Sequence, residues 1–315
     1  MDTTPLGLRS VPRVVAHASL QPWAGGRNAV GVALFHNSSA PLLITPTVSR
    51  RPTFLVDFIP QAGNSCRASS MKLPVIAGII RRRILVNFRV DPEVMRAQVP
   101  GRLEPKLHGD SAIAGICLIR LEQLRPRRVP SLLGISSENA AHRVAVTWQD
   151  VDGVEREGVF IPRRDTGSRL NQLAGGRLFP GEQHLADFAV QSGGDGIDFE
   201  MKSKDGKVSV RVRGKVASML PASSGFATLA AASAFFETGA LGYSVTSDPR
   251  RLDGITLHTR QWKVEALEVA DVYSSYFADE ARFPKGSVEF DCALIMRDIA
   301  HEWHSAADLF VGEEV

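Results

Sequence analysis

Apolar and polar residues alternate with a period of two through most of residues 84–297. Val144, Val146 and Trp148 alternate with Arg143, Ala145 and Thr147, the pattern of a half-buried strand. The clearest case is a hairpin. Ile197, Phe199 and Met201 alternate with Asp198, Glu200 and Lys202, Asp205-Gly206 supplies the turn, and Val208, Val210 and Val212 return on the same face. A slip of one residue would turn all of these apolar side chains to solvent, so the register is well fixed. Further strands are expected at 84–90, 112–124, 154–162, 184–190, 254–260, 263–269 and 287–297, with Asp152-Gly153 turning the chain back before the third.

Helical spacing is confined to three places. Asp91-Pro92 gives an N-cap with proline at the first helical position, and Pro100-Gly101 stops that helix. Thr166 or Ser168 caps a second helix, with Leu170, Leu173 and Ala174 as its apolar face and Gly175-Gly176 at its end. Ser223 or Ser224 caps a third, which carries Phe226, Leu229, Ser233 and Phe236 and closes at Gly239. About ten strands against three short helices predict an α+β, mostly β fold: an antiparallel closed or nearly closed β-barrel with a few flanking helices.

The first seventy residues lack this patterning. They hold six Arg, Asp2 and Asp57 but no Lys or Glu, a net +4 that leaves the remainder near −1 within a formal +3. Residues 1–70 are therefore expected to be a poorly ordered extension, either a leader or a mis-assigned start with Met71 as the true first residue. Pro5, Pro12 and Pro22 interrupt the amphipathic helix that a transit peptide needs. Residues 71–315 are expected to form one barrel domain. A body without excess positive charge argues against a nucleic-acid partner, and the apolar run 226–236 is short of the roughly 20 residues that span a bilayer. Cys66, Cys117 and Cys292 are too few and scattered for a disulfide framework or a thiolate metal site, which points to the cytoplasm.

Candidate chemistry gathers between Glu138 and Ala186. No lysine occurs from 107 to 201, whereas ten arginines do. Arginine stays protonated and offers a planar fork for carboxylates, so this stretch can clamp an anion but supplies no amine nucleophile. Glu138 with His142 or His184 would make an acid–base pair in a dry cavity. Arg143, Arg163, Arg164 and Arg177 are candidate anion ligands, with Phe179 and Trp262 as apolar lining. Arg81-Arg82-Arg83 reads as a solvated strand entry. The histidines of His301-Glu302-Trp303-His304 are three apart, not the four a zinc-protease helix needs, and read as a solvated tail. No metal or other cofactor is expected.

The strand with its proline-capped helix, the Glu138 segment, the Arg/Pro turn before His184-Leu185-Ala186, the Asp205-Gly206 hairpin and the Phe/Ala helix together resemble the YqjF-like domain of unknown function. That family is similar in fold to acetoacetate decarboxylase, and the resemblance covers residues 81–304. It implies a cone-like barrel around an apolar cavity, with Glu138 at a glutamate of the decarboxylases, Gly176-Arg177 at their Gly-Arg and Pro180 at their proline. The position of the Schiff-base lysine then falls on Gly181, and the spacing from Arg177 to Pro180 is shorter than theirs. The decarboxylase chemistry does not carry over, because function lives in the site and not in the fold.

The first functional reading is a barrel that binds a small, carboxylated, apolar metabolite without Schiff-base decarboxylase activity. The alternative is a lyase or isomerase acting on a keto acid through Glu138 and His142 or His184. A purely structural role, with a homo-oligomer burying Glu138, is a third. Geometry separates the first two: Glu138 and His142 meeting in one cavity favours the enzyme, whereas only arginines and apolar groups facing it favours binding.

Overall fold

The computed structural model describes residues 74–173 and 180–311. The chain runs β1 (Ile76–Val90), α1 (Pro92–Arg96), β2 (Glu104–Pro105), β3 (Leu107–His108), β4 (Ser111–Pro126), β5 (Ile135–Gln149), β6 (Glu155–Thr166) and α2 (Arg169–Leu173). It continues through β7 (Gln183–Gly193), β8 (Gly196–Ser203), β9 (Ser209–Ala217), α3 (Leu229–Glu237) and β10 (Leu241–Val245). The last strands are β11 (Arg251–Thr259), β12 (Glu265–Ser274), β13 (Val288–Ser305) and β14 (Leu309–Phe310). The fold is mostly β, as its pattern predicts.

Five long neighbours, β13-β1-β4-β5-β6, form the spine of the sheet. Two arms close on it. Strands β7-β8-β9-β12 join β6 to β13 and complete a nine-strand ring, while β10-β11 join the same two strands and complete a ring of seven, β6-β10-β11-β13-β1-β4-β5. The sheet is thus closed twice and is not one regular barrel. Nor is it wholly antiparallel, since β6 pairs in parallel with both β7 and β10.

This double closure corrects the expectation of a half-buried β5. Along the spine one set of side chains, Ile84, Val86, Ile116, Leu118, Val144 and Val146, packs inside the nine-strand ring with Phe199, Val210 and Leu267. The other set, Leu85, Cys117, Ile119, Ala145, Cys292 and Leu294, packs with Phe226 and Phe236 on the opposite side. Both faces are covered, so even Arg143 is only 4% exposed.

Asp91 caps α1 as expected, accepting from the amides of Glu93 and Val94. Thr228, not Ser223 or Ser224, caps α3, because the Ser224 hydroxyl is spent donating to buried Asp291 at 2.9 Å. In α2 the anticipated apolar face points outward: Leu170 is 62% exposed and Leu173 79%, while Asn171 is buried and donates to Ser137 Oγ at 3.3 Å. Residues 301–304 are the end of β13 and no solvated tail. His301 is buried, and His304 Nε2 lies 3.0 Å from Glu302 Oε2.

Candidate functional site

The seven-strand ring encloses a cavity of about 110 Å³. Each of its strands contributes lining: Arg83 from β1, Cys117 and Ile119 from β4, Asn139 and Arg143 from β5, Ile161 and Arg164 from β6, Gly242 from β10, Leu257 from β11 and Trp303 from β13. Asn171, Pro180 and Gln183 also line it. The wall is mainly apolar, with three guanidiniums set into it.

The ladder explains how those arginines arrive. Asn87, Gly115 and Arg143 stand in one row across β1, β4 and β5, and Arg143 crosses the side-chain-free Gly115 to donate to Asn87 Oδ1. Its plane stacks 4.9 Å from the Phe236 ring, and its Nε has no partner. Arg164 donates through Nε to Ser244 Oγ at 2.9 Å, and Arg83 Nε donates to Cys117 Sγ at 3.3 Å while its Nη1 is unpartnered. Burial pushes Arg143 and Arg164 down to about 10, since a charged group is disfavoured away from water. Among the described residues none of these three arginines forms an ion pair.

Alternation along β5 puts Glu138 and His142 on the other face, so the acid–base pair read from the sequence is not assembled in the cavity. Glu138 accepts from Arg82 Nη2 at 2.7 Å and lies 4.0 Å from Arg120, across a row that pairs Arg82, Arg120 and Glu138 on adjacent strands. Burial raises the Glu138 carboxyl, opposed by Arg82 and Arg120. His142 lies four residues further on, about 13 Å at strand rise, where its ring packs against Tyr276 and Nε2 is 3.3 Å from Ser274 Oγ. Arg163 is also turned away and is consumed by Asp165 at 2.8 Å and Asp205 at 3.0 Å. His184 is partly exposed, 3.6 Å from Asp205, with neither Glu138 nor His142 among its partners.

Burial pushes His142 down to about 3, with Arg163 and Arg282 adding repulsion. An ordinary histidine takes up its proton near pH 6.5. Below that the unfolded chain binds a proton that the folded chain refuses, so stability falls as pH drops from about 6.5 to about 3 and this group adds nothing further below. His301, pushed down to about 4 by burial, adds to the loss over its own range. The expected cost is a few kcal/mol. It is checked by urea unfolding across that window, where His142→Phe should flatten the slope; an unchanged slope would reject a neutral, buried imidazole.

Trp262 stands behind the site, not in its lining. Its Nε1 donates to Ser233 Oγ at 2.9 Å and its ring lies 5.8 Å from the Arg83 guanidinium. Arg177 and Phe179 lie outside the described residues. Gly181, the lysine position implied by the resemblance, has φ +80° and donates its amide to Asp253 Oδ2 at 3.0 Å. A Cβ there would sit 2.4 Å from the Ser244 Cβ. No lysine lines the cavity among the described residues; Lys106 lies next to it, ion-paired with Glu157 and 4.5 Å from the Phe235 ring. Sequence reasoning missed Arg83, set aside as solvated, and Cys117. The signal was the period of two: Arg83 shares its parity with Leu85, and the Leu85 side of β1 is buried.

Among the described residues no cluster of three or more His, Cys, Asp or Glu could hold a metal ion, and no helix is long and apolar enough to cross a membrane. These features define a mostly β protein whose sheet closes around a guanidinium-bearing cavity. The family DUF2071, described as an uncharacterized conserved protein, matches residues 80–293, and the chain belongs to it. The family resemblance seen in the sequence is thereby met. Curated proteins gave no match. Among solved structures the chain is similar to an acetoacetate decarboxylase-like enzyme from Sphingomonas wittichii RW1, at 11% identity and TM-score 0.49 over 76% of this chain and 93% of that one. It is also similar to acetoacetate decarboxylase from Legionella pneumophila (13%, TM-score 0.47, 75% and 88%) and to the enduracididine biosynthesis enzyme MppR (11%, TM-score 0.48, 78% and 90%).

Proposed function

We propose that this protein binds a small anionic metabolite inside the seven-strand ring, with Arg83, Arg143 and Arg164 holding its charged end and Ile119, Ile161, Leu257 and Trp303 its apolar part. The observation that carries this reading is the trio of arginines facing one cavity with, among the described residues, no carboxylate paired to them. A buried charge without a partner costs several kcal/mol, and an anion entering the cavity removes that cost. Carboxylate fits the planar fork of a guanidinium through two parallel hydrogen bonds. Among the described residues no lysine lines the cavity, and Glu138, His142 and His184 do not face it together, which supports binding over Schiff-base or proton-transfer chemistry.

The test is retention. Purified protein is incubated with a metabolite mixture, desalted, denatured and analysed for released small molecules. A carboxylate-bearing compound should be recovered from the parent and lost from Arg143→Gln. Recovery of a cation or a neutral compound, or equal recovery from the variant, would remove the basis for the site. Treatment with borohydride in the presence of acetoacetate should leave the protein mass unchanged. A reduced adduct on any lysine would contradict the absence of Schiff-base chemistry.

A further inference from the structure

We infer that the ligand is a short dicarboxylate, one carboxylate held at Arg164 and the other in the field of Arg83 and Arg143. The inference rests on the reading above that the cavity takes an anion, and it comes from counting charge. Among the described residues three guanidiniums face the cavity. The acidic groups near them are already committed. Asp165 touches the lining but is engaged by Arg163 at 2.8 Å, and Asp253, which acts on Arg164, accepts from the Gly181 amide at 3.0 Å and lies 3.4 Å from Arg251. Crediting Asp253 in full to Arg164 still leaves two positive charges without a counter-charge. A ligand with one charge would leave one of them buried and unpaired, whereas a ligand with two satisfies both.

The placement of the arginines favours two separated charges over one compact dianion. Arg164 faces Ala141 across β5 and β6, and Arg143 lies two residues along β5 from Ala141, where the register with β6 shifts. Their guanidiniums then lead apart, Arg164 to Ser244 and Arg143 to Asn87 on β1, with Cys117 and the apolar wall between. The apolar lining residues Ile119, Ile161 and Leu257 suit a methylene chain that ends in carboxylates. At the second end Arg83 Nη1 and Arg143 Nε are buried without a hydrogen-bond partner, so neither guanidinium is fully satisfied there by the described residues.

Isothermal titration of the full-length protein at fixed ionic strength, with malonate, succinate and glutarate set against acetate, propionate and butyrate, tests this. The best dicarboxylate should bind at least about ten-fold more tightly than the best monocarboxylate, because the second carboxylate gains a charge-assisted pair. Arg164→Gln should bring that ratio close to one, and Arg83→Gln provides the same readout if the first variant fails to fold. Equal affinity for both classes would overturn the two-charge assignment while leaving the anion-binding reading intact. Binding of neither class would overturn both. Inorganic phosphate binding more tightly than every dicarboxylate would show a compact dianion and overturn the dicarboxylate.

Discussion

Gly181→Lys should leave little stably folded protein. Three costs fall on one position. The backbone at φ +80° disfavours any side chain by about 1–2 kcal/mol. A Cβ 2.4 Å from the Ser244 Cβ forces the two segments apart, an overpacking cost of about 1–3 kcal/mol. The new ammonium would then be placed beside Arg164, which already bonds Ser244, with no free carboxylate to receive it. Together these come to roughly 4 kcal/mol or more, a large part of the 5–15 kcal/mol that holds an ordinary domain together. Gly181→Ala separates the causes, since it keeps the first two and lacks the charge; its urea midpoint should fall between those of the parent and the lysine variant. A Gly181→Lys protein that melts with the parent and forms a borohydride-trapped adduct with acetoacetate would show that the chain needs only a lysine to become a Schiff-base enzyme. The structure argues that the surrounding loop was built for glycine.

The sequence made the element types plain because a period of two survives wherever one face differs from the other, as in β8 and β9. It misjudged β5 and the ends of β1 and β13, where a second layer covers the outer face and the alternation separates one core from another core. Periodicity reports that two faces differ, and says nothing of whether the second face meets water. The same gap explains Arg83. Three consecutive arginines look like a solvated run, yet a break in register between Ile80 and Arg82 turns Arg81 to Glu122 and Asp298 on the surface, and alternation then puts Arg82 at Glu138 on one face and Arg83 in the cavity on the other. Arg143 and Arg164 were legible as candidate anion ligands from residue type alone. Their freedom from ion pairs was not, because Arg163 is adjacent in sequence and fully paired to Asp165 and Asp205. The shorter closing arm, β10-β11, was the least legible part. Strand β10 is five residues long and lies in parallel beside β6, a pairing that no hairpin turn announces.

Arg164→Met should raise the melting temperature of the ligand-free protein and abolish its response to succinate, a pairing of effects that a merely structural arginine does not give. In the ligand-free chain Arg164 is half-buried and, among the described residues, bonded to a serine hydroxyl and in the field of an aspartate that other groups share. Exchange of a buried charged group for an apolar one of similar volume is often stabilising by 1–4 kcal/mol. Ser244 loses its donor, at about 1 kcal/mol. A net gain of about 1–2 kcal/mol is left, and each kcal/mol moves the melting point of a domain this size by roughly 2–4 °C. The ligand sees the opposite change. Loss of one buried, hydrogen-bonded charge partner costs about 2 kcal/mol or more in binding, which is roughly a 30-fold weaker affinity. Thermal melts of parent and variant, each with and without saturating succinate, measure both terms in one experiment. The parent should start lower and rise; the variant should start higher and stay. If the variant instead melts lower without ligand and rises with succinate as the parent does, Arg164 supports the fold and takes no part in binding. The cavity would then lose the charge that most distinguishes its β6 wall from an ordinary core.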